Sequence, residues 1–196
     1  MLFSKFAQHL NEIEQTASRL EMTAQLAELF KELDQQEVPV AVYLSLGQLT
    51  PAYQNLEFQL STKMVLRVLV QQMAQNPELY GAGLPASNLF SEADYSIYEA
   101  KVNKLYKANG DIGKTAEAVF ALKKQNTNKT ILAVYSDLKL IAETAGHGSQ
   151  DKKVTLLLNL FNQLDSLSVK FVSRIVVGKL RLGFSTMTIF DALSWT

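Results

Sequence analysis

The segment 146–153, with the sequence GHGSQDKK, combines two glycines, a hydroxyl and two cations around a single turn. Glycine lets the backbone approach a ligand closely, and Ser149 is suited to cap a helix whose first free N–H groups form a natural anion site. Lys152 and Lys153 then fall in the first helical turn, where positive charge is unfavourable for the helix dipole unless an anion is near. From the pattern alone an ordinary helix–helix turn carrying surface lysines is the favoured interpretation, and phosphate binding is the alternative.

A second cationic turn follows at 178–184, where the sequence GKLRLGF alternates cations with leucines between two glycines. If the leucines are buried, Lys179 and Arg181 project together toward solvent or toward a phosphate backbone. A capped turn with two solvated cations is the alternative. The pattern alone leaves both interpretations open.

Residue types that usually carry catalysis are scarce in this chain. There is no cysteine, which excludes a disulfide, a thiolate metal site and a cysteine nucleophile. His9 and Glu12 have the spacing of a helical metal-binding pair, but no second pair completes a di-metal site. His147, Ser149 and Asp151 are too close along one turn to form a triad without distant partners. We therefore predict neither a catalytic site nor a metal site.

The segment 109–117, NGDIGKTAE, also places glycines at a helix start, beside Lys114. It lacks the G-x-x-x-x-G-K-[ST] spacing of a nucleotide-binding loop. We interpret it as a structural turn in which Asp111 caps the helix that begins at Ile112.

The formal net charge of zero conceals an asymmetry between the two halves of the chain. Residues 1–98 carry five basic and eleven acidic side chains, whereas residues 99–196 carry fourteen basic and eight acidic ones. The positive excess favours a surface on the C-terminal half that binds a polyanion. Two solvated faces of opposite sign are the alternative.

The elements that must position these turns are helices. Hydrophobic residues make up 47% of the chain and charged residues 19%, which excludes intrinsic disorder. Apolar residues recur every three or four positions, which predicts helices at 2–16, 18–33, 39–46, 61–73, 92–107, 112–123, 131–145, 150–164, 166–177 and 185–193. No segment shows the period of two that is typical of strands. We predict an all-α fold of about ten helices in one compact domain, with a candidate subdomain boundary near 76–93.

Four spans together carry a resemblance to a known family. They are YLSLGQLTPAYQNLEF at 43–58, NGDIGKTAE at 109–117, GHGSQDKKVTLLLNLF at 146–161, and KFVSRIVVGKLRLGFSTMTIFDAL at 170–193. In this order they resemble the N-terminal DNA-binding domain of the ATP-dependent DNA ligases of archaea, eukaryotes and some bacteria. The resemblance covers essentially the whole of residues 1–196.

The resemblance implies an all-helical domain with two pseudo-symmetric halves and no catalytic centre, which grips nicked double-stranded DNA across the minor groove. The phosphate-contacting turns of the family correspond here to Gly146, Gly148, Ser149, Lys152 and Lys153, and to Lys179, Arg181 and Gly183. The loop at 47–53 (GQLTPAY) resembles a further family loop that approaches or supports the DNA contacts, which makes Thr50, Pro51 and Tyr53 weaker candidates.

The resemblance also implies partners and a cellular location. The other partners would be the catalytic domains of a parent ligase, which would use ATP and Mg²⁺, whereas this domain would need no cofactor. We expect this domain to be a monomer. We also expect that it is not bound to a membrane, because no apolar run reaches the roughly 18 residues of a membrane span. It would lie in the cytoplasm with the nucleoid in a prokaryote, or in the nucleus in a eukaryote.

The sequence departs from the family pattern at three points. Ser168 stands where relatives often carry Glu, so a helix-side ion pair to Arg174 is expected to be missing. Gln59 and Ser61 replace the usual glycines after the P-A-Y loop, so a different turn geometry is expected there. The K-x-D-G motif of the adenylated lysine is absent from residues 1–196, so sealing of DNA is expected to need further domains.

Two other classes of function stay open at this stage. A helical scaffold for protein–protein interaction is compatible with the neutral total charge and the tyrosine-rich segments. A free-standing enzyme is disfavoured by the missing cysteine and the isolated histidines.

Overall fold

The protein is built of helices joined by turns and loops. The computed structural model describes residues 1–80, 92–123, 128–180 and 182–196. The elements are α1 (Phe3–Gln15), α2 (Arg19–Lys31), α3 (Glu37–Ser45), α4 (Thr62–Gln75), α5 (Glu92–Asn109), α6 (Ile112–Phe120), α7 (Ile131–Glu143), α8 (Ser149–Phe161), α9 (Ser166–Val176) and α10 (Thr186–Ser194), with short 3₁₀ helices at Ala52–Gln54 and Pro77–Leu79. Within these described ranges the only β-type pairing is an isolated bridge between Leu2 and Thr130. The predicted all-α class is confirmed.

Side-chain caps explain where several helices begin. Ser61 Oγ accepts a hydrogen bond from the Met64 N–H at 3.3 Å, and an Asp111 carboxylate oxygen accepts one from the Lys114 N–H at 2.7 Å. Each cap satisfies a first-turn donor that has no partner inside the helix. The predicted cap at Asp111 is therefore confirmed.

Helices from both halves of the chain share one hydrophobic core. Helix α4 packs against α5, α6 and α8, and α1 packs against α2, α7 and α9. Most of the candidate subdomain boundary near 76–93 lies outside the described residues, so that boundary and the pseudo-symmetric halves stay predictions. None of the helices in the described ranges is long and apolar enough to cross a membrane.

A glycine sets the distance between α6 and α9. A Cβ atom at Gly113 would lie 2.7 Å from the backbone oxygen of Lys170 and 2.7 Å from Nε of Arg174. Real Cβ contacts are not this short. The missing side chain therefore permits the close packing of these two helices.

Arg174 lies in a buried ion-pair network although Ser168 replaces the family's glutamate. Its Nη1 atom is 2.8 Å from Glu14 of α1, and its Nη2 atom is 3.0 Å from Asp111, while Lys170 pairs with Glu14 at 2.7 Å. The expected loss of charge pairing at Arg174 is thus compensated from α1 and from the cap of α6. Ser168 instead donates its hydroxyl to Asp165, which caps α9.

Burial and charge act in opposite directions on the carboxyl groups of this network. Burial raises the pKa of Glu14, but the hydrogen bond from Lys170 and the charge of Arg174 outweigh it and hold that pKa below its ordinary value. Burial likewise raises the pKa of Asp111, and the Lys114 N–H and the Arg174 guanidinium lower it further than burial raises it. Both carboxylates are therefore stabilised in the charged form by folding.

Candidate nucleic-acid interface

The turn before α8 has the backbone conformation that its glycines favour. Gly146 and Gly148 have φ values of 92° and 73°, in the left-handed region, and no atom lies within 4 Å of where either Cβ would be. Gly148 occupies the N-cap position, so the expected cap at Ser149 is wrong: Ser149 is the first helical residue. The Ser149 N–H donates to the Gly146 oxygen at 3.1 Å. Because no side chain caps α8, the N–H groups of Gln150 and Asp151 remain for an external acceptor such as water or an anion.

The two adjacent lysines of α8 have opposite environments. Lys152 is exposed, whereas Lys153 is only 3% exposed and its ammonium group donates to the backbone oxygen of Phe58 at 2.7 Å. Burial lowers the pKa of Lys153. Successive helical residues point about 100° apart, so one lysine faces solvent and the next faces the interior. Lys153 therefore joins α8 to the loop between α3 and α4 and is not placed to meet a phosphate at the surface.

The turn after α9 presents a cation next to the start of α4. Lys179 is exposed, and its ammonium group donates to the Thr62 hydroxyl at 3.2 Å. Its backbone N–H donates to the Arg174 oxygen at 2.8 Å, which closes the end of α9. Arg181 lies outside the described residues, so its predicted position is not tested.

The flanking leucines and glycines of this turn have structural roles. Leu182 is buried and Leu180 is half-buried, as the alternating pattern indicates. Gly183 has a φ of 85°, and a Cβ there would lie 3.2 Å from the Met22 side chain of α2. Gly183 therefore brings the turn close to α2.

The loop between α3 and α4 lies against the same turn. A Cβ at Gly47 would be 3.4 Å from the Cβ of Leu180, and the Tyr135 hydroxyl of α7 donates to the Leu49 oxygen at 2.8 Å. Thr50 is half-buried and lines a groove of about 690 Å³ between this loop and the end of α9. Tyr53 is 80% exposed, which leaves its ring available to a partner.

Positions 59 and 61, where Gln and Ser replace the usual glycines of the family, lie at the end of the loop before α4. Gln59 has a φ of 52°, so the position keeps the left-handed conformation that a glycine would adopt most easily. Ser61 adopts an extended conformation and caps α4. The backbone at position 59 therefore keeps the conformation expected for glycine, at the cost of strain in the glutamine. At position 61 the serine makes a capping hydrogen bond that glycine could not make.

Three sequence-distant segments meet through these contacts. Gly47 lies against Leu180, Phe58 accepts from Lys153, and Lys179 donates to Thr62. The described residues of the turns at 146–153 and 178–183 and of the loop at 47–61 therefore lie next to one another, and we call these segments together the candidate interface. Among the described residues no group of three His, Cys, Asp or Glu side chains is arranged to hold a metal ion.

Two exposed cations of α4 that lie next to the candidate interface were not predicted from the sequence. Lys63 and Arg67 are both exposed, and Arg67 Nη1 lies 2.7 Å from an oxygen of Asp151 in the first turn of α8. Their spacing of four residues is a visible signal for one helix face. It could not be connected with residue 151 before the packing of α4 against α8 was known.

The family model of the DNA ligase N terminus matches residues 2–194. The chain belongs to this family. The domain is 36% identical over 197 residues to a probable DNA ligase of Dictyoglomus turgidum, a match that covers 100% of this chain and 29% of the relative.

Two further relatives show a similar degree of identity. The domain is 32% identical over 203 residues to DNA ligase 2 of Thermofilum pendens and 31% identical over 198 residues to a DNA ligase of Nitrosopumilus maritimus. These matches cover 98% and 99% of this chain and 30% of each relative. The chain thus spans less than a third of the length of these curated relatives.

Proposed function

We propose that this domain binds nicked duplex DNA without sequence specificity, as the DNA-binding module of an ATP-dependent DNA ligase in replication and repair. The observation that carries the proposal is the convergence of the turns at 146–153 and 178–183 and the loop at 47–61 on one surface. These segments are distant in sequence, and two of them carry the exposed cations Lys152 and Lys179. Membership of the DNA ligase family and similarity to curated DNA ligases support a role as part of such an enzyme.

The chemistry of this surface suits a phosphate backbone. Two glycines without nearby atoms leave room for a strand to approach the start of α8, where Ser149 and uncapped N–H groups offer hydrogen bonds. Lys152, Lys179 and Arg181 would add charge. Contacts of this type position a protein on DNA without reading bases, and the minor groove adds little more than a distinction between A·T and G·C pairs.

The catalytic step belongs to other domains in this proposal. The catalytic domains of the parent ligase would bind ATP and Mg²⁺, and this monomeric domain would hold the nicked duplex for them. Incubation of the 196-residue chain with ATP and nicked DNA is then expected to give neither adenylated protein nor sealed DNA.

The test is a fluorescence titration of nicked duplexes of different sequence at several salt concentrations. Each phosphate contact contributes about 0.9 to the slope of log affinity against log salt, so Lys152, Lys179 and Arg181 predict a slope near −2.7. The variants Lys152→Gln, Lys179→Gln and Arg181→Gln should each flatten the slope by about one unit and weaken all sequences alike. The matched control is Lys31→Gln, which removes an exposed cation of α2 outside the candidate interface and should leave the slope unchanged.

A slope near zero would contradict the proposal and favour the helical protein–protein scaffold. A strong preference for one base sequence would equally contradict it, since phosphate and minor-groove contacts do not read sequence in detail. Comparison of nicked with intact duplex then measures the preference for the nick.

A further inference from the structure

The exposed face of α4 carries a pair of cations beside the candidate interface. Lys63 and Arg67 are four residues apart, which places them on one face of the helix and about 6 Å apart along its axis. Both line a groove of about 750 Å³ that also includes Gln150 from the first turn of α8. This groove therefore continues the surface formed by the turn at 146–153.

A contact at the N-terminal end of α4 connects this pair with the second cationic turn. Thr62, the first residue of α4, accepts the hydrogen bond from the Lys179 ammonium group at 3.2 Å. Lys63 follows Thr62 directly in the chain. The cations of α4 thus begin where the turn at 178–183 reaches the helix.

Arg67 neutralises an acidic group next to the proposed phosphate position. Asp151 is in the first turn of α8, where its charge is favourable for the helix dipole but would repel a phosphate. Arg67 pairs with one oxygen of that carboxylate at 2.7 Å through one of its nitrogens. A guanidinium group has five N–H donors, so donors remain for a second acceptor such as a phosphate oxygen.

The acidic groups around the groove limit the path of a strand. Glu99 of α5 also lines the groove, and its negative charge would repel a phosphate. A phosphate path is therefore favoured along α4 and the start of α8 rather than along α5.

We infer that Lys63 and Arg67 are further phosphate-backbone contacts, which extend the DNA-binding surface from the two cationic turns onto α4. This inference rests on the proposed function. It assigns two of the five cations of the acidic half, residues 1–98, to the surface that binds DNA. The cations that contact DNA would then come from both halves, and the charge difference between the halves would not mark the edge of the site.

The test adds variants of α4 to the salt titration with nicked duplex DNA. Two further contacts predict a wild-type slope near −4.5 in place of −2.7, at about 0.9 per contact. Lys63→Gln and Arg67→Gln should each weaken binding about two- to fivefold, as expected for exposed charge pairs, and flatten the slope by about one unit. Asp151→Asn should strengthen binding, because it removes a negative charge from the phosphate path and releases Arg67.

The matched control is Lys31→Gln on α2. Lys31 is 47% exposed and pairs with Glu28, which is 70% exposed, whereas Arg67 is 50% exposed and Asp151 is 72% exposed. The control should bind like wild type, and helical circular dichroism should verify that every variant is folded.

The outcomes separate the inference from the proposed function. If wild type binds with a steep slope and Lys152→Gln weakens binding, but Lys63→Gln and Arg67→Gln behave like Lys31→Gln, the inference is wrong and the proposed function stands. If wild type binds without salt dependence, the proposed function fails and the inference fails with it. Weakening by both α4 variants, together with tighter binding by Asp151→Asn, supports the inference.

Discussion

At the scale of single residues, the start of α8 depends on backbone conformation as much as on charge. Gly148 has a φ of 73°, and the space where its side chain would be is open. A side chain at this position therefore meets no steric clash within the domain, but it imposes strain on the backbone. An approaching phosphate strand would in addition meet the new side chain directly.

Substitutions at Gly148 separate these two effects. Gly148→Ala should cost about 1–2 kcal/mol of unfolding free energy, because L-residues other than Asn and Asp resist the left-handed region. Gly148→Asn should cost less, since Asn tolerates that region, yet it should still weaken DNA binding because its side chain occupies the space. Urea denaturation and the nicked-duplex titration measure the two quantities.

Gly110→Ala is the control for Gly148. Gly110 has a φ of 64° with no atom near its Cβ position, and it precedes α6, outside the candidate interface. The substitution should lower stability like Gly148→Ala and leave DNA affinity unchanged. If both Gly148 variants bind DNA like wild type, the turn is only a connector.

At the scale of elements, the packing of α6 on α9 holds the end of α9 and so the turn that follows it. Gly113 allows this contact, and the ion pairs of Arg174 with Glu14 and Asp111 join α9 to α1 and to the cap of α6. Lys179 also donates its backbone N–H to Arg174. The position of the second cationic turn therefore depends on the contacts of α9 with α1 and α6.

Gly113→Ala should destabilise the domain although alanine favours helices. In an open helix this change gains about 0.5–1 kcal/mol, but here the new methyl group overpacks the contact with α9, which costs typically 1–3 kcal/mol. Urea denaturation checks the sign. Ala118→Gly, at an exposed position of α6, is the matched control for helix propensity alone and should cost about 1 kcal/mol. A stabilised Gly113→Ala variant would show that α6 and α9 do not pack this closely.

At the scale of the whole molecule, charge couples stability to pH. The pKa values of Glu14 and Asp111 lie below their ordinary values of 4.5 and 3.8 in the folded state. A carboxyl group with a lowered pKa stabilises the fold above its unfolded pKa, and this contribution is lost as the pH falls through the folded pKa. The network that joins α1, α6 and α9 should therefore weaken in acid.

The unfolding free energy is expected to decline from about pH 4.5 downward. Glu14→Gln should make this decline smaller and should cost about 1–3 kcal/mol at neutral pH, since it removes the carboxylate that pairs with Nζ of Lys170 and Nη1 of Arg174. Urea denaturation at a series of pH values measures both effects. The control is Glu28→Gln on the exposed face of α2, and a decline equally steep in Glu14→Gln and wild type would assign the acid sensitivity to other groups.

The sequence by itself determined the fold class, the approximate helix positions and the family. Helical periodicity and caps are local signals, carried by residues within one or two turns of each other, as with Ser61 and Asp111. The leucine pattern around Lys179 likewise predicted which side chains of that turn are buried. The family motifs identified the segments of the candidate interface.

Only the tertiary structure decided which side chains of those segments reach the surface. Lys152 and Lys153 are indistinguishable in the sequence, and their difference depends on the oxygen of Phe58, 95 residues away. Arg67 and Asp151 are 84 residues apart and meet only because α4 packs against α8. Such contacts follow from how whole helices pack, which depends on the complete core, whereas local spacing constrains only neighbours along one helix.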